Sequence, residues 1–185
     1  MTKEELLKEI SQTLFKGKAN KLARLAATTQ NLQQLLDLTF YPKKEIAFRA
    51  AWILETVYFN KPVDFIPHLP DFTNAYCLQK NLSCQRHFTK IMMDITSPKS
   101  DVFKASVNIA FDIEAVTETT FEWLIDPKTP VAVQANCLDI LCHLSPRYDW
   151  IQDELVSQTQ FLLKNGSAAL QSRGKRVLRR LLRAS

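Results

Sequence analysis

Glycine is nearly missing from this chain, with three in 185 residues. A loop that cradles phosphate with backbone N–H groups needs several glycines in a short run, as in G-x-x-x-x-G-K-[ST], so nucleotide binding of that kind is excluded. Histidine is equally scarce. None of His68, His87 and His143 sits in an H-E-x-x-H string or beside a nucleophile elbow, and each is expected to be an ordinary polar or capping residue. No catalytic residue and no cofactor are therefore expected. The four cysteines, Cys77, Cys84, Cys137 and Cys142, have no zinc-ligand spacing; Cys137 and Cys142 would stand about 140° apart on a helix. They are expected to be small buried hydrophobes in a reducing compartment, with no metal bound. Long apolar runs are absent too. Nothing approaches the ~18 uninterrupted apolar residues of a membrane span, and Met1 to Glu9 is charged where a signal peptide would be apolar. A cytoplasmic location is the expectation.

What the chain does have is helical periodicity. Apolar residues recur at helical spacing in Leu6, Leu7, Ile10, Leu14 and again in Ile46, Ala50, Ile53, Leu54, Val57, and no stretch alternates convincingly as a strand would. An all-α protein follows. Breaks are expected at Gly17-Lys18, Phe40-Tyr41-Pro42, Asn60-Lys61-Pro62, Pro67 to Pro70, Thr96-Ser97-Pro98, Asp126-Pro127, Ser145-Pro146 and Asn165-Gly166, leaving segments of ordinary helix length.

Compared with itself, the chain shows a repeat. Pro42-Lys43 matches Pro127-Lys128 at an offset of 85 residues, and at that offset Ile46-Ala47-Phe48 falls on Val131-Ala132-Val133, Ile53 on Leu138, and Asp64-Phe65-Ile66 on Asp149-Trp150-Ile151. Each unit contains two weaker copies. Ile46, Cys84, Val131 and Leu170 become equivalent, with Ile53, Ile91, Leu138 and Val177 one layer on. Spacings of 38, 47 and 39 residues suit a pair of antiparallel helices that cannot bury its apolar faces without the next pair stacked on it.

The segment Leu32-Gln33-Gln34-Leu35-Leu36, Pro42, then Glu45 to Leu54 resembles a HEAT repeat: a first helix, a turn, and a second helix of V-R-x-A-A-x-x-A-L character. Asp126-Pro127 with Val131 to Leu138 repeats it, with Gln134 where Arg49 stands. The second copy has His87 and Phe88 at the Arg and Ala positions, and the fourth has Arg173 and Gly174. The resemblance implies the armadillo-type superfamily of curved α-solenoids that bind proteins or nucleic acids, and it identifies no activity. The expected architecture is a right-handed α–α superhelix of about four helix pairs in one domain over residues 1–185. An N-terminal helix from Lys3 to Phe15 precedes the first pair, and a basic helix over 168–183 ends the last. Two enzyme classes with helical folds bear comparison with these residues. The signature loop of adenylosuccinate lyase and fumarase relatives is absent, since Ser97-Pro98-Lys99-Ser100 lacks its Met, Gly and Asn. DNA-alkylation-repeat glycosylases, which are HEAT-like, use Trp, Asp and Arg along a basic concave surface. Here Trp52 and Trp123 lie in apolar helix faces and are expected in the core. Asp149 is expected to cap the helix that Trp150 begins, with Trp150 packed between helices.

Charge is distributed unevenly. Gln171 to Ser185 holds six of the 24 Lys and Arg and none of the 19 Asp and Glu, so the +5 net charge belongs to this tail and the rest sums to −1. A net of −1 argues against a nucleic-acid groove along the whole chain. On a helix, Leu170, Val177, Leu178 and Leu181 form an apolar stripe, and Arg173, Arg176, Arg180 and Arg183 a basic face. A solubilising cap helix would look the same. A docking face would take an acidic protein surface first, nucleic acid second and an anionic membrane third. In HEAT relatives second helices line the concave side, so Arg49, Glu55, Arg86, Lys90, Gln134, Arg173, Arg176 and Arg180 are the expected contact ridge of a non-catalytic binding protein.

Overall fold

A computed structural model describes residues 2–12, 14–26, 29–105 and 112–184, with side chains described for all of these except 29, 30 and 184. Among the described residues all regular structure is helical: α1 (Lys3–Ser11), α2 (Lys16–Ala26), α3 (Thr29–Leu38), α4 (Lys44–Asn60), α5 (Leu69–Leu78), α6 (Leu82–Ile95), α7 (Asp101–Ala105), α8 (Ile113–Ile125), α9 (Val131–Leu144), α10 (Asp149–Asn165) and α11 (Ala168–Ala184), with 3₁₀ turns at Val63–His68 and Ser145–Arg147. Local chemistry sets several starts. Thr2 and Glu5 form a capping box on α1, Asn81 caps α6 by accepting from the Ser83 amide at 3.0 Å, and Asp112 caps α8 by accepting from the Ala115 amide at 2.9 Å.

The four helix pairs are α3/α4, α5/α6, α8/α9 and α10/α11, with α1 and α2 ahead of the first, and the whole is a right-handed α–α superhelix. The second helices form one continuous row, in which α2 packs on α4, α4 on α6, α6 on α9 and α9 on α11. First helices lie on the other side of the core. Aromatic contacts bridge the two layers: Phe72 of α5 stacks on Phe88 of α6 with centroids 5.1 Å apart, and Tyr58 of α4 meets Phe65 edge-on at 5.2 Å. Burying side chains of this size stabilises the fold by roughly 1.5–3 kcal/mol each. Ile53, Ile91, Leu138 and Val177, equivalent across the four copies, are all buried. In the preceding layer Ile46, Cys84 and Leu170 are buried but Val131 is 41% exposed, because it is the first residue of α9 and has no preceding turn beside it.

Several local expectations shift. The expected helix from Lys3 to Phe15 is shorter, since α1 ends at Ser11; the break lies before Lys16, and Gly17 belongs to the first turn of α2. Asp149 does not cap α10: the cap position is Tyr148, without a side-chain bond, and Trp150 is 47% exposed against Phe121. Trp123 is buried against Tyr76, as a core residue should be, whereas Trp52 is only half-buried. His68 is buried against Phe65 at the end of the 3₁₀ turn, and His87 lies in the middle of α6.

Candidate binding surface

The eight candidate residues all lie on the second helices, but they do not form one exposed ridge. Arg49 turns back to α1, where its Nη1 donates to the carbonyls of Ile10, Ser11 and Gln12 at 3.1, 3.0 and 2.8 Å, while its other nitrogen pairs with Glu45. These are carbonyls that end α1 without partners of their own, so the guanidinium acts as a cap. Gln134 is buried, and its amide donates to the carbonyls of Leu124 at 3.0 Å and Asp126 at 3.4 Å, closing the end of α8. Both are therefore internal ties. A polar side chain among helix ends satisfies backbone groups before it meets a partner.

Glu55 is also engaged. Its carboxylate takes a hydrogen bond from Lys90 Nζ at 2.7 Å and contacts His87 Nδ1, joining α4 to α6. Burial works to raise the Glu55 pKa, but the hydrogen bonds and charges of His87 and Lys90 outweigh it and hold the carboxyl below its ordinary value. The Phe48 ring lies 5.1 Å from that of His87, beside half-buried Trp52.

On α9 a residue absent from the candidate set dominates. Asp139 is almost fully buried, and Arg173 and Arg176 of α11 both bind it, Arg176 Nη2 lying 3.0 and 3.2 Å from its two oxygens. Its signal in the sequence is a single acid in the largely apolar Val131–Leu144 helix, which has no Lys or Arg to pair with it, so a cationic partner had to come from another element. Between these two ionic ties, α6 and α9 are joined by neutral bonds, from Asn136 to Thr89 at 3.0 Å and between Thr96 and His143 at 3.3 Å. Burial lowers the His143 pKa, Asp139 working against it and Arg180 with it.

Equivalent positions thus do one job throughout. Arg49, His87, Gln134 and Arg173 each tie their second helix to an element that precedes it in the chain. What stays outward of the eight is Arg86, Arg180, half-exposed Lys90 and Arg176, which is 47% exposed while bound to Asp139. Arg183, Arg179 and Lys175 extend the outward set on α11, Arg180 leans on Cys142, and Leu182 is 76% exposed beside them. Leu170, Val177 and Leu181 are buried and Leu178 is half-buried.

The charge of the two layers differs sharply. The second helices α2, α4, α6, α9 and α11 carry 14 Lys and Arg against 4 Asp and Glu, a net of +10. The first helices α1, α3, α5, α8 and α10 carry 3 against 11, a net of −8. The −1 that precedes the tail is therefore a cancellation between faces and no measure of either one. Among the described residues no cluster of His, Cys, Asp and Glu is arranged to hold a metal, and no helix is long and apolar enough to cross a membrane. All four cysteines are unpaired, and burial pushes the Cys84 thiol up to about 12.

A family profile described as a HEAT repeat domain matches residues 3–181, and the chain belongs to that family of helical-repeat scaffolds. Two engineered proteins with crystal structures from the Northeast Structural Genomics Consortium are similar in fold. One, 18% identical, covers 98% of this chain and 79% of its own with a TM-score of 0.63; the other, 14% identical, covers 96% and 80% with a TM-score of 0.60. No curated protein matches.

Proposed function

We propose that this chain is a non-catalytic scaffold forming one repeat domain, whose second-helix face binds a protein partner through an acidic surface. The segregation of charge carries this reading: a layer with a net of +10 facing away from a layer with a net of −8 attracts anionic surfaces to one side only. Arg86, Arg176, Arg180 and Arg183 are the contact residues, because all four are exposed and a guanidinium group suits a carboxylate. Arg49, Gln134 and the Glu55–His87–Lys90 cluster hold the helices that present them. The four free thiols suit a reducing compartment such as the cytoplasm.

Poly-L-glutamate and a short DNA duplex, each titrated into the full chain by fluorescence anisotropy, test the reading. Binding of polyglutamate at low salt is expected, weakening steeply between about 50 and about 200 mM as screening rises. Joint replacement of Arg176, Arg180 and Arg183 by Ala should weaken it about tenfold or more. Absence of polyglutamate binding at low salt would overturn the proposal, and tighter binding of the duplex would replace it with nucleic-acid recognition.

A further inference from the structure

The positive charge of the second-helix row is not spread along it. The two terminal helices are purely basic: α2 carries Lys16, Lys18, Lys21 and Arg24, α11 carries six Lys and Arg, and neither contains an acid. The three helices between them balance, with Lys44, Arg49, Arg86 and Lys90 against Glu45, Glu55, Asp94 and Asp139. Most of those central charges are consumed inside the molecule. Arg49 binds Glu45 and the α1 carbonyls, Glu55 binds His87 and Lys90, Asp139 binds Arg173 and Arg176, and Asp94 accepts from Tyr58 at 2.6 Å and Ser100 at 2.9 Å. Half-buried Phe48, Trp52 and Met93 fill the middle. At the ends Lys18 pairs with Glu9 of α1 at 3.1 Å and Arg173 and Arg176 with Asp139, but the remaining charges are exposed. Lys16, Lys21 and Arg24 are exposed with no ion-pair partner among the described residues, Lys21 and Arg24 standing on the stripe opposite buried Leu22, Ala23 and Ala26, and Arg180 and Arg183 are exposed at the far end.

We infer that the ligand of this face is an extended protein segment with two acidic clusters separated by a neutral, partly apolar stretch, one cluster held at α2 and the other at α11. Four steps between packed helices separate these two, roughly 35 Å at the usual interaxial distances. An extended chain rising about 3.3 Å per residue crosses that gap in about 11 residues. The inference rests on the acidic-partner reading above and adds its spacing. A nucleic acid fits less well, since duplex DNA carries a negative charge about every 1.7 Å of its length and would lay unneutralised phosphates across the balanced centre.

Three synthetic peptides of identical composition test it against the full chain. In the first, two four-glutamate clusters are separated by about 11 neutral residues; in the second by about three; in the third the glutamates are contiguous. Joining two weak contacts through a linker that spans both sites raises affinity well beyond either alone, so the first peptide should bind about tenfold or more tightly than the others. Lys21→Glu with Arg24→Glu, and separately Arg180→Glu with Arg183→Glu, should each erase that preference. All four side chains are exposed, and circular dichroism confirms that the variants fold. Equal binding of all three peptides, or a preference that survives both variants, overturns the two-cluster inference while leaving the acidic-partner reading standing. Failure of every peptide to bind removes both, and displacement of the first peptide by a 12-bp duplex, about 40 Å long, at lower concentration assigns the row to nucleic acid.

Discussion

Arg176 of α11 reaches back to Asp139 of α9, its Nη2 3.0 Å from the carboxylate oxygen, and the pair sets the hold between the two helices against the positive charge of the outer surface. Arg173 holds the same carboxylate. The acid is buried and the arginines are partly exposed, so Asp139 draws down the positive charge that the outer surface would otherwise present.

Asp139→Asn should therefore move two properties in opposite directions. Loss of the buried charge that two guanidinium groups surround should cost about 2–3 kcal/mol in urea unfolding, below the usual cost of a broken buried pair because the arginines regain water. The same variant should bind polyglutamate several-fold more tightly, since Arg173 and Arg176 are released. Weaker binding by the folded variant would show that Asp139 positions the arginines more than it neutralises them.

Arg49→Ala tests an internal tie. The carbonyls of Ile10, Ser11 and Gln12 at the end of α1 lose their donor, so α1 should fray while the four helix pairs persist. The expected cost is about 1–2 kcal/mol, in the range of losing a helix cap. Hydrogen exchange should accelerate at Leu7 to Gln12 and stay unchanged in α9 and α11. Uniform acceleration across the chain would mean that α1 and the repeats unfold as one unit.

The second-helix core was legible because burial follows helical period: Ile53, Ile91, Leu138 and Val177 read as equivalents and are equally buried. The equivalence of Arg49, His87, Gln134 and Arg173 was legible as well, but not what they do. Arg49, His87 and Arg173 find carbonyl or carboxylate partners 32 to 39 residues away, and no local pattern encodes such a pairing. The charge segregation was hidden for a different reason. Summing along the chain adds first and second helices together, and only their placement on opposite sides of the core separates a basic face from an acidic one.

Acidification should weaken the fold in two windows. His143 has its folded pKa below the ordinary 6.5, so the unfolded chain binds the proton more readily and stability falls as pH drops through and below about 6.5. Glu55 has its folded pKa below 4.5; its contribution is present above that value and is lost as pH falls through the folded pKa. Urea midpoints measured between pH 7.5 and pH 3, roughly the range these two groups cover, should show both declines. His143→Gln should flatten the upper one and Glu55→Gln the lower one. A profile unchanged in its upper part by His143→Gln would assign that decline to another group.

Gly174 explains why the fourth copy departs from the repeat pattern at its Ala position. A Cβ there would lie 3.0 Å from Thr159 Cγ2 and 3.3 Å from Leu163 Cδ2, so α10 and α11 are packed closely enough that only glycine fits without displacement. Gly174→Ala gains about 1 kcal/mol of helix propensity, and overpacking costs about 1–3 kcal/mol, so the net expectation is a loss of about 1 kcal/mol. Thr159→Ser removes the obstructing methyl and keeps the hydroxyl. Added to Gly174→Ala it should recover most of that loss, giving a favourable coupling in a double-mutant cycle measured by thermal or urea unfolding. Strictly additive effects would mean that Leu163 takes the strain. In that case α11 shifts relative to α9, and the contact of Arg173 and Arg176 with Asp139 should loosen with it.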